Sequence, residues 1–216
     1  MKIQSALKFL APLAIAASTQ AFAHSPAPSA PILIDNISFK GTGCADESTA
    51  SVNISEDKQA FTVTFSELAA QTGPGLSPLD SRKNCVLTFG LDIPAGWQFS
   101  IASFNFRGYM ALDQGIQAEH SATYFLQGDK KQQKFTSKVS GPFSDEYVYT
   151  DNIGIASAVW SPCGVKRALS VNTSVSVRNT NKVKFPEAAG FIANDSVDGQ
   201  IVQQVYGLSW RQCPST

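Results

Sequence analysis

Strict alternation of apolar and polar residues constrains the fold of this chain more than any other feature. Phe61, Val63 and Phe65 alternate with threonine and serine, and the runs Cys85–Ile93 and Ala168–Arg178 alternate in the same way. A period of two is typical of β-strands that bury one face. About ten such runs occur between turns rich in Gly, Pro, Asn and Asp. We therefore expect an all-β, antiparallel β-sandwich of jelly-roll type.

The same pattern sets the expected element boundaries. The run from Trp97 changes phase near Ala102 and Ser103, which predicts a β-bulge. Ser66–Gly75 contains the one helix-compatible stretch, and Lys182–Asp195 is predicted to be a loop because Pro186 and Gly190 interrupt it. Further strands are predicted over Ile32–Phe39, Ser51–Ser55, Ile116–Leu126, Lys134–Val139, Ile153–Trp160 and Ile201–Arg211.

The N-terminal residues predict export. Residues 1–23 combine two lysines, a short apolar run and small residues at Ala21 and Ala23, which is the pattern of a secretory signal peptide. Residues 24–31 form a Pro/Ala/Ser leader that we expect to be extended and mobile. Residues 32–216 are expected to form a single β-sandwich domain. The signal-peptide pattern predicts a secreted protein, which is either extracellular or held in the periplasm or at the cell surface.

Charge and hydropathy exclude two classes of partner. The chain has 17 basic and 17 acidic residues, and two of the lysines belong to the predicted signal, so the mature protein is slightly acidic. A nucleic-acid-binding protein needs clustered Lys and Arg, which this composition does not provide. No segment approaches the roughly 20 apolar residues of a membrane span. We expect neither nucleic acid nor a membrane span to be involved.

The four cysteines, Cys44, Cys85, Cys163 and Cys213, are an even number in an exported chain, which predicts two disulfides. No two of them have the short spacing of a zinc site. We favour Cys44–Cys85 and Cys163–Cys213, which close loops of about 40 to 50 residues. The other two pairings remain open.

Six short segments occur together in one order. They are "GTGC" (41–44), "RKNC" (82–85), "PAGWQFSI" (94–101), "FRGYMALDQG" (106–115), "WSPCG" (160–164) and "WRQC" (210–213). In these segments the chain resembles the secreted domain-of-unknown-function 4360 family of fungi and bacteria, from about Ile34 to Cys213. The resemblance implies a secreted, cysteine-bearing, all-β domain and does not imply a particular activity.

A copper site is one alternative for the two histidines. If cleavage follows Ala23, the amine and imidazole of His24 become a potential metal chelate, and His120 is the second histidine available. Ordering the Pro/Ala/Ser leader around a metal would cost about 1 to 2 kcal/mol per residue. We therefore favour a solvated leader, a His120 on an exposed strand and no cofactor.

Aromatic residues favour a binding function. Tyr147 and Tyr149 alternate along one strand, so both point to one side, and with Tyr109 and Arg107 they are our predicted binding residues. The tryptophans next to cysteines, Trp160 and Trp210, are expected to pack in the interior. We assign no catalytic residue. A carboxylate hydrolase remains an alternative, with candidates Asp113, Glu119, Asp145, Glu146 and Asp151.

The sequence thus favours a non-enzymatic, disulfide-stabilised interaction module outside the cell. Its aromatic content and compartment suggest carbohydrate or another cell-envelope polymer as the ligand. Two alternatives stay open: a polysaccharide-active enzyme, using copper or paired carboxylates, and a secreted effector or coat protein that binds other proteins. The oligomeric state is not predicted.

Overall fold

The computed structural model describes residues 27–30, 32–46, 48–154, 157–194 and 203–214. These residues form twelve β-strands and one 3₁₀ helix, Pro78–Ser81. In chain order the strands are β1 (Leu33–Lys40), β2 (Ala50–Ile54), β3 (Ala60–Phe65), β4 (Ala69–Thr72), β5 (Arg82–Asp92), β6 (Trp97–Leu112), β7 (Ile116–Leu126), β8 (Gln132–Ser140), β9 (Phe143–Asn152), β10 (Ala168–Asn179), β11 (Gly190–Ala193) and β12 (Gln203–Gln212). The predicted signal peptide lies outside the described residues.

The strands form two antiparallel sheets that pack face to face. The five-stranded sheet has the order β1-β5-β10-β7-β8. The seven-stranded sheet has the order β2-β3-β12-β6-β11-β4, and β9 also pairs with β6. The predicted all-β antiparallel sandwich is confirmed.

Each strand buries every second residue because side chains alternate between its two faces. In the seven-stranded sheet, the ring of Phe61 stacks on Tyr206 with centroids 4.6 Å apart. The same ring meets Phe89 of the other sheet edge-on at 5.1 Å. Trp210 is 2% exposed and belongs to this core, which confirms its predicted interior position. Complete burial of each large apolar side chain contributes about 1.5 to 3 kcal/mol to stability.

The long alternating runs are confirmed as strands, in one case with identical limits. β7 spans Ile116–Leu126, the predicted range. The predicted bulge is also present, because Gly207 pairs with Ser103 and Leu208 pairs with Ile101, which leaves Ala102 unpaired in that ladder. The phase change in the sequence therefore located an extra residue in β6.

Three local predictions are wrong. The helix-compatible stretch contains strand β4, whose partner β11 lies inside the segment predicted to be a loop. Backbone pairing between these two four-residue strands overrides the local propensity of each. The described residues of Ile153–Trp160 form no strand; they follow β9 as an irregular connection.

Both disulfides have the predicted pairing. Cys44 and Cys85 are linked with Cα atoms 5.4 Å apart, and Cys163 and Cys213 with Cα atoms 5.9 Å apart. The first pair is completely buried. In the second pair, Cys163 is exposed and Cys213 is partly buried. The two bridges therefore differ in their access to solvent.

The described part of the leader is docked on the sandwich, which corrects the expectation of a mobile tether for residues 27–30. The Lys58 ammonium donates to the carbonyl oxygens of Pro28 at 3.1 Å, Ser29 at 2.9 Å and Ala30 at 2.7 Å. Pro28 is buried. The Lys58 side chain, between β2 and β3, thus binds three successive peptide groups of the leader.

Replacing Lys58 with methionine is expected to release this segment, because the apolar chain is retained and the donors are lost. Charge-assisted hydrogen bonds contribute about 1.5 to 3 kcal/mol, so proteinase K should cleave residues 27–30 about tenfold faster. Limited proteolysis followed by mass spectrometry measures this rate. Lys58→Arg is the matched control, and equal cleavage of all three proteins would argue that Lys58 does not hold the segment.

Candidate functional site

A groove of about 240 Å³ lies at the end of the sandwich where Cys163 and Cys213 are joined. One wall is the turn between β5 and β6, and the other is the segment that leads from Cys163 into β10. Its lining includes Pro94, Trp97, Pro162 and Val165 together with charged side chains.

The first wall is fixed by the turn chemistry of Pro94–Gly96. Gly96 has a φ of 80°, a left-handed conformation that favours glycine. Its carbonyl oxygen accepts a hydrogen bond from the Cys213 N–H at 2.7 Å, which ties the turn to the end of β12. β6 begins immediately afterwards at Trp97, a half-buried residue that packs on the core and lines the groove.

The second wall is held on β6 by Ser161. Its N–H donates to the Phe99 carbonyl at 2.8 Å, and its hydroxyl accepts from the Phe99 N–H at 3.0 Å. The next residues are Pro162 and the exposed Cys163, so the disulfide lies within this wall. Val165 follows, with 55% of its surface exposed. The wall is therefore well anchored at its base and open to solvent at its rim.

The charged groups that line the groove, Asp92, Lys166 and Arg167, form a balanced set together with Asp35, which lies beside it. The Lys166 ammonium lies 2.6 Å from Asp35 Oδ2 and 3.6 Å from Asp92 Oδ1. The hydrogen bond to Asp35 raises the pKa of Lys166, so this side chain stays protonated. Arg167 also lines the groove and donates to the Gln127 carbonyl at 2.9 Å. Two carboxylates and two cations thus nearly neutralise each other.

Glycine at position 90 makes room for one of these carboxylates. Gly90 of β5 pairs with Asp35 of β1. A Cβ atom at position 90 would lie 1.9 Å from Asp35 Oδ1, so any side chain there would displace the carboxylate. The arrangement of Asp35, Lys166 and Asp92 therefore depends on a residue with no side chain in the neighbouring strand.

The predicted binding residues are divided between two faces of the seven-stranded sheet. Tyr147 and Tyr149 do point to one side of β9, but that side faces the interior. Tyr147 is 4% exposed, donates to the Ala193 carbonyl at 3.3 Å and has its pKa raised by burial. Tyr149 is half-buried and packs on Tyr147, with ring centroids 5.1 Å apart. Tyr147 is thus a packing residue, inaccessible to a ligand.

Arg107 and Tyr109 lie on the outer face of the same sheet. Arg107 is exposed, and the Tyr109 hydroxyl lies 2.9 Å from Ser144 Oγ on β9. Neither residue lines the groove. These two side chains form a separate surface outside the groove, and their predicted role in binding stays a prediction.

His120 belongs to a buried polar cluster between the sheets. The cluster consists of His120, Thr173, Asn194, Gln204 and Tyr206. Gln204 Nε2 lies 2.9 Å from Thr173 Oγ1 and 2.6 Å from Asn194 Oδ1, and its Oε1 accepts from the Tyr206 hydroxyl at 2.5 Å. His120 Nε2 lies 3.2 Å from Thr173 Oγ1. His120 Nδ1 is buried without a partner among the described residues.

The expectation of an exposed His120 is wrong. The side chain is 0% exposed, and burial lowers its pKa to about 3. It shares its face of β7 with Ile116, Ala118, Ala122, Tyr124 and Leu126, a pattern already visible in the sequence. An enclosed imidazole cannot complete a surface copper site with His24, which lies outside the described residues. Within the described ranges, no group of three His, Cys, Asp or Glu residues is placed to bind a metal ion.

The carboxylates named for a hydrolase do not meet in the groove. Asp113 accepts from the Ala189 N–H at 2.8 Å and Glu119 pairs with Lys138 at 3.3 Å, so both have structural partners. Asp145, Glu146 and Asp151 are exposed on β9. Asp92, which lines the groove, and Asp35, which pairs with Lys166 beside it, were not singled out from the sequence.

Three of the six sequence segments converge on this end of the sandwich. "PAGWQFSI" supplies the first wall, "WSPCG" supplies the second, and "WRQC" supplies the disulfide partner Cys213. Beside the groove, the Arg211 guanidinium lies 4.1 Å above the Trp160 ring, which accounts for the partial burial of that tryptophan. Trp97 could have been found from the sequence because it lies in one of these segments. Lys166 and Arg167 lie outside the six segments, so no sequence pattern marked them.

Comparison with solved structures gives distant similarities. The chain is 11% identical to TmCBM61, solved in complex with β-1,4-galactotriose, with a TM-score of 0.30 over 81% of this chain and 88% of that one. It is 10% identical to the enzymatically active domain of tailspike protein 4 of bacteriophage CBA120, with a TM-score of 0.24 over 83% of this chain and 20% of that one.

Sequence comparison gives a closer relative. The chain is 36% identical over 180 residues to an uncharacterized secreted protein of Arthroderma benhamiae, covering 83% of this chain and 71% of the relative. That relative and the two disulfides indicate an extracellular protein. No helix in the described residues is long and apolar enough to cross a membrane. The model of the DUF4360 family, described as a domain of unknown function, matches residues 30–213, so this chain belongs to that family.

Proposed function

We propose that this protein is a non-enzymatic extracellular binding module and that its groove binds part of a neutral polysaccharide. The observation that carries the proposal is the meeting of an aromatic face, Trp97, with hydrogen-bonding charged groups in one concavity. Ligand sites are typically mostly apolar, with a few polar groups that fix orientation.

The two kinds of lining suit the two kinds of surface on a sugar ring. The C–H face of a sugar packs on an aromatic ring, so Trp97 supplies area and shape. The hydroxyl groups at the ring edge can accept from Lys166 and Arg167 and donate to Asp92. Because Asp35, beside the groove, balances the excess positive charge of the lining, a neutral sugar leaves no charge unpaired, whereas an anionic sugar would approach the Asp92 carboxylate.

The size of the groove limits the contact to a short part of a polymer. Its volume of about 240 Å³ lies below the range of about 300 to 1,000 Å³ for sites that enclose a complete small ligand. A chain end or a single ring fits this size better than a long segment. Arg107 and Tyr109 remain a proposed second contact on the outer face of the seven-stranded sheet.

Replacing Trp97 with alanine is expected to weaken retention on polysaccharide by about 2 kcal/mol, a factor of about 30, because an aromatic anchor is lost. The measurement is depletion of the exported protein by three neutral insoluble polymers, cellulose, chitin and mannan, across a range of polymer concentrations. Circular dichroism and the melting temperature show whether each variant is folded.

Tyr109→Ala is the matched control, since it removes an aromatic residue that is half-buried, like Trp97, but lies outside the groove. Retention that depends on Trp97 and not on Tyr109 supports the groove. The reverse result would move the site to the outer face of the seven-stranded sheet. If the folded wild-type protein is not retained by any of the three polymers, the proposal fails, and release of soluble sugars would replace binding with hydrolysis or oxidation.

A further inference from the structure

The outer face of the five-stranded sheet has an uneven charge. We call this surface the basic face; it consists of the outward side chains of β1, β5, β10, β7 and β8. Its acidic residue away from the groove end is Glu119, which pairs with Lys138 at 3.3 Å. Its exposed basic residues are Lys40, Arg82, Lys134, Lys138 and Arg178.

Small hydroxyl and amide side chains fill the space between these cations. In the middle of the face, Asn84 pairs with Ser174, which pairs with Ser121, which pairs with Thr136. The hydroxyls of Ser174 and Ser121 lie 3.1 Å apart. Neighbouring strands are about 4.8 Å apart, so these groups are regularly spaced across the sheet.

Three of the cations, Lys40, Arg82 and Lys134, have no ion-pair or hydrogen-bond partner among the described residues. Lys40 on β1 and Lys134 on β8 end the same row of paired residues, which passes through Val86, Asn172 and Thr123. Four strand spacings separate them, or about 19 Å. Their ammonium groups are therefore available to an anionic partner that extends across the sheet.

The charge of this face is not a consequence of composition. The whole chain has equal numbers of acidic and basic residues. On the other sheet, edge strand β9 contains Asp145, Glu146 and Asp151 and no basic residue. The basic face thus has five exposed cations and one acidic residue away from the groove end, and such an excess of positive charge steers an anionic partner toward it.

We propose that the basic face is a second binding surface, distinct from the groove, and that its partner is an acidic polysaccharide with repeated carboxylates. The separated cations match repeated negative charges along an extended polymer. The hydroxyl and amide groups between them match the hydroxyls of the sugar rings. The open outer face of the five-stranded sheet gives such a polymer a surface that extends across several strands.

Affinity electrophoresis of the exported protein in gels containing polygalacturonate, an acidic polysaccharide, tests this proposal. We expect the wild-type protein to be retarded by polygalacturonate and not by dextran, which is neutral. The double variant Lys40→Gln/Lys134→Gln should bind polygalacturonate about tenfold more weakly, with a smaller dependence on salt. Both positions are exposed, so the fold should be unaffected.

The matched control is Lys182→Gln/Lys184→Gln, which removes the same charge from the loop after β10. Equal weakening by both double variants would show that net charge alone is measured and would overturn the proposal. Absence of retardation by polygalacturonate would also overturn the proposal. Tighter binding to nucleic acid or to anionic vesicles than to polygalacturonate would overturn it as well. Trp97→Ala should retain polygalacturonate binding, which separates this surface from the groove.

Discussion

Replacing Cys44 and Cys85 together with alanine is expected to lower the free energy of unfolding by about 4 kcal/mol. The bridge spans 41 residues, and releasing it restores loop entropy to the unfolded chain. Both residues are 0% exposed, so the lost sulfur atoms also leave a gap in the core. Urea unfolding of the oxidised wild-type and variant proteins measures the difference.

Cys163→Ala/Cys213→Ala is the matched comparison because its loop of 50 residues has a similar length. Chain entropy predicts a similar loss of about 4 kcal/mol from the loop alone, without the cost of a core cavity. The two bridges should differ more in reduction than in stability. Under native conditions with limiting dithiothreitol, alkylation should label Cys163 and Cys213 first, since Cys163 is exposed. Simultaneous labelling of all four cysteines would contradict this expectation.

The second large effect is a dependence of stability on pH that originates at His120. Its pKa is about 3 in the folded protein and 6.5 in its unperturbed state. Above pH 6.5 the imidazole is neutral in both states, and this group adds no pH dependence. As the pH falls from 6.5 toward 3, only the unfolded state binds the proton. The free energy of unfolding should then fall by up to about 1.4 kcal/mol per pH unit.

His120→Gln should remove this dependence while retaining a polar group near Thr173. The variant is expected to be less stable than the wild type at pH 7, and the difference should shrink by up to about 1.4 kcal/mol per pH unit below pH 6.5. Chemical unfolding at several pH values measures both curves. Tyr147 and Tyr206 stay neutral because burial raises the pKa of each, so they do not contribute.

His24→Gln is the control for the other histidine and should leave the pH dependence unchanged. The exposed carboxylates Asp46 and Asp57, whose pKa values are lowered by hydrogen bonds from Ser48 and Ser55, also affect acid stability. They are present in all three proteins and therefore cancel in the comparison. Parallel curves for wild type and His120→Gln would show that the imidazole is not enclosed.

Strands with one buried face could be predicted from the sequence, and others could not. β7 alternates between apolar and polar positions over eleven residues, and its boundaries were predicted correctly. β9 was predicted only in part, around Tyr147 and Tyr149, because most of its other residues are polar and exposed at the sheet edge. β4 and β11 have four residues each, which is too short for periodicity to be recognised.

The candidate site was less predictable because it depends on contacts between distant segments. Asp35 and Lys166 are 131 residues apart. Their ion pair exists because β5 lies between β1, which contains Asp35, and β10, which Lys166 precedes, and because β5 has glycine at position 90. No local pattern marks either residue. The wrong prediction for His120 has another cause. Its position in the alternating run of β7 indicated burial, but the polarity of histidine favoured exposure. For a lone polar residue, the phase of the strand was the better guide.

The buried polar cluster determines how the two sheets can be aligned. Leucine or valine pairs across a sandwich tolerate sliding, because one apolar contact replaces another. Gln204, on the seven-stranded sheet, meets Thr173 of the opposite sheet at a fixed position. A slip of two residues along either strand would separate these groups and leave buried amide and hydroxyl groups without partners, at about 1 to 3 kcal/mol each. The cluster thus selects one alignment from several that the apolar core alone would accept.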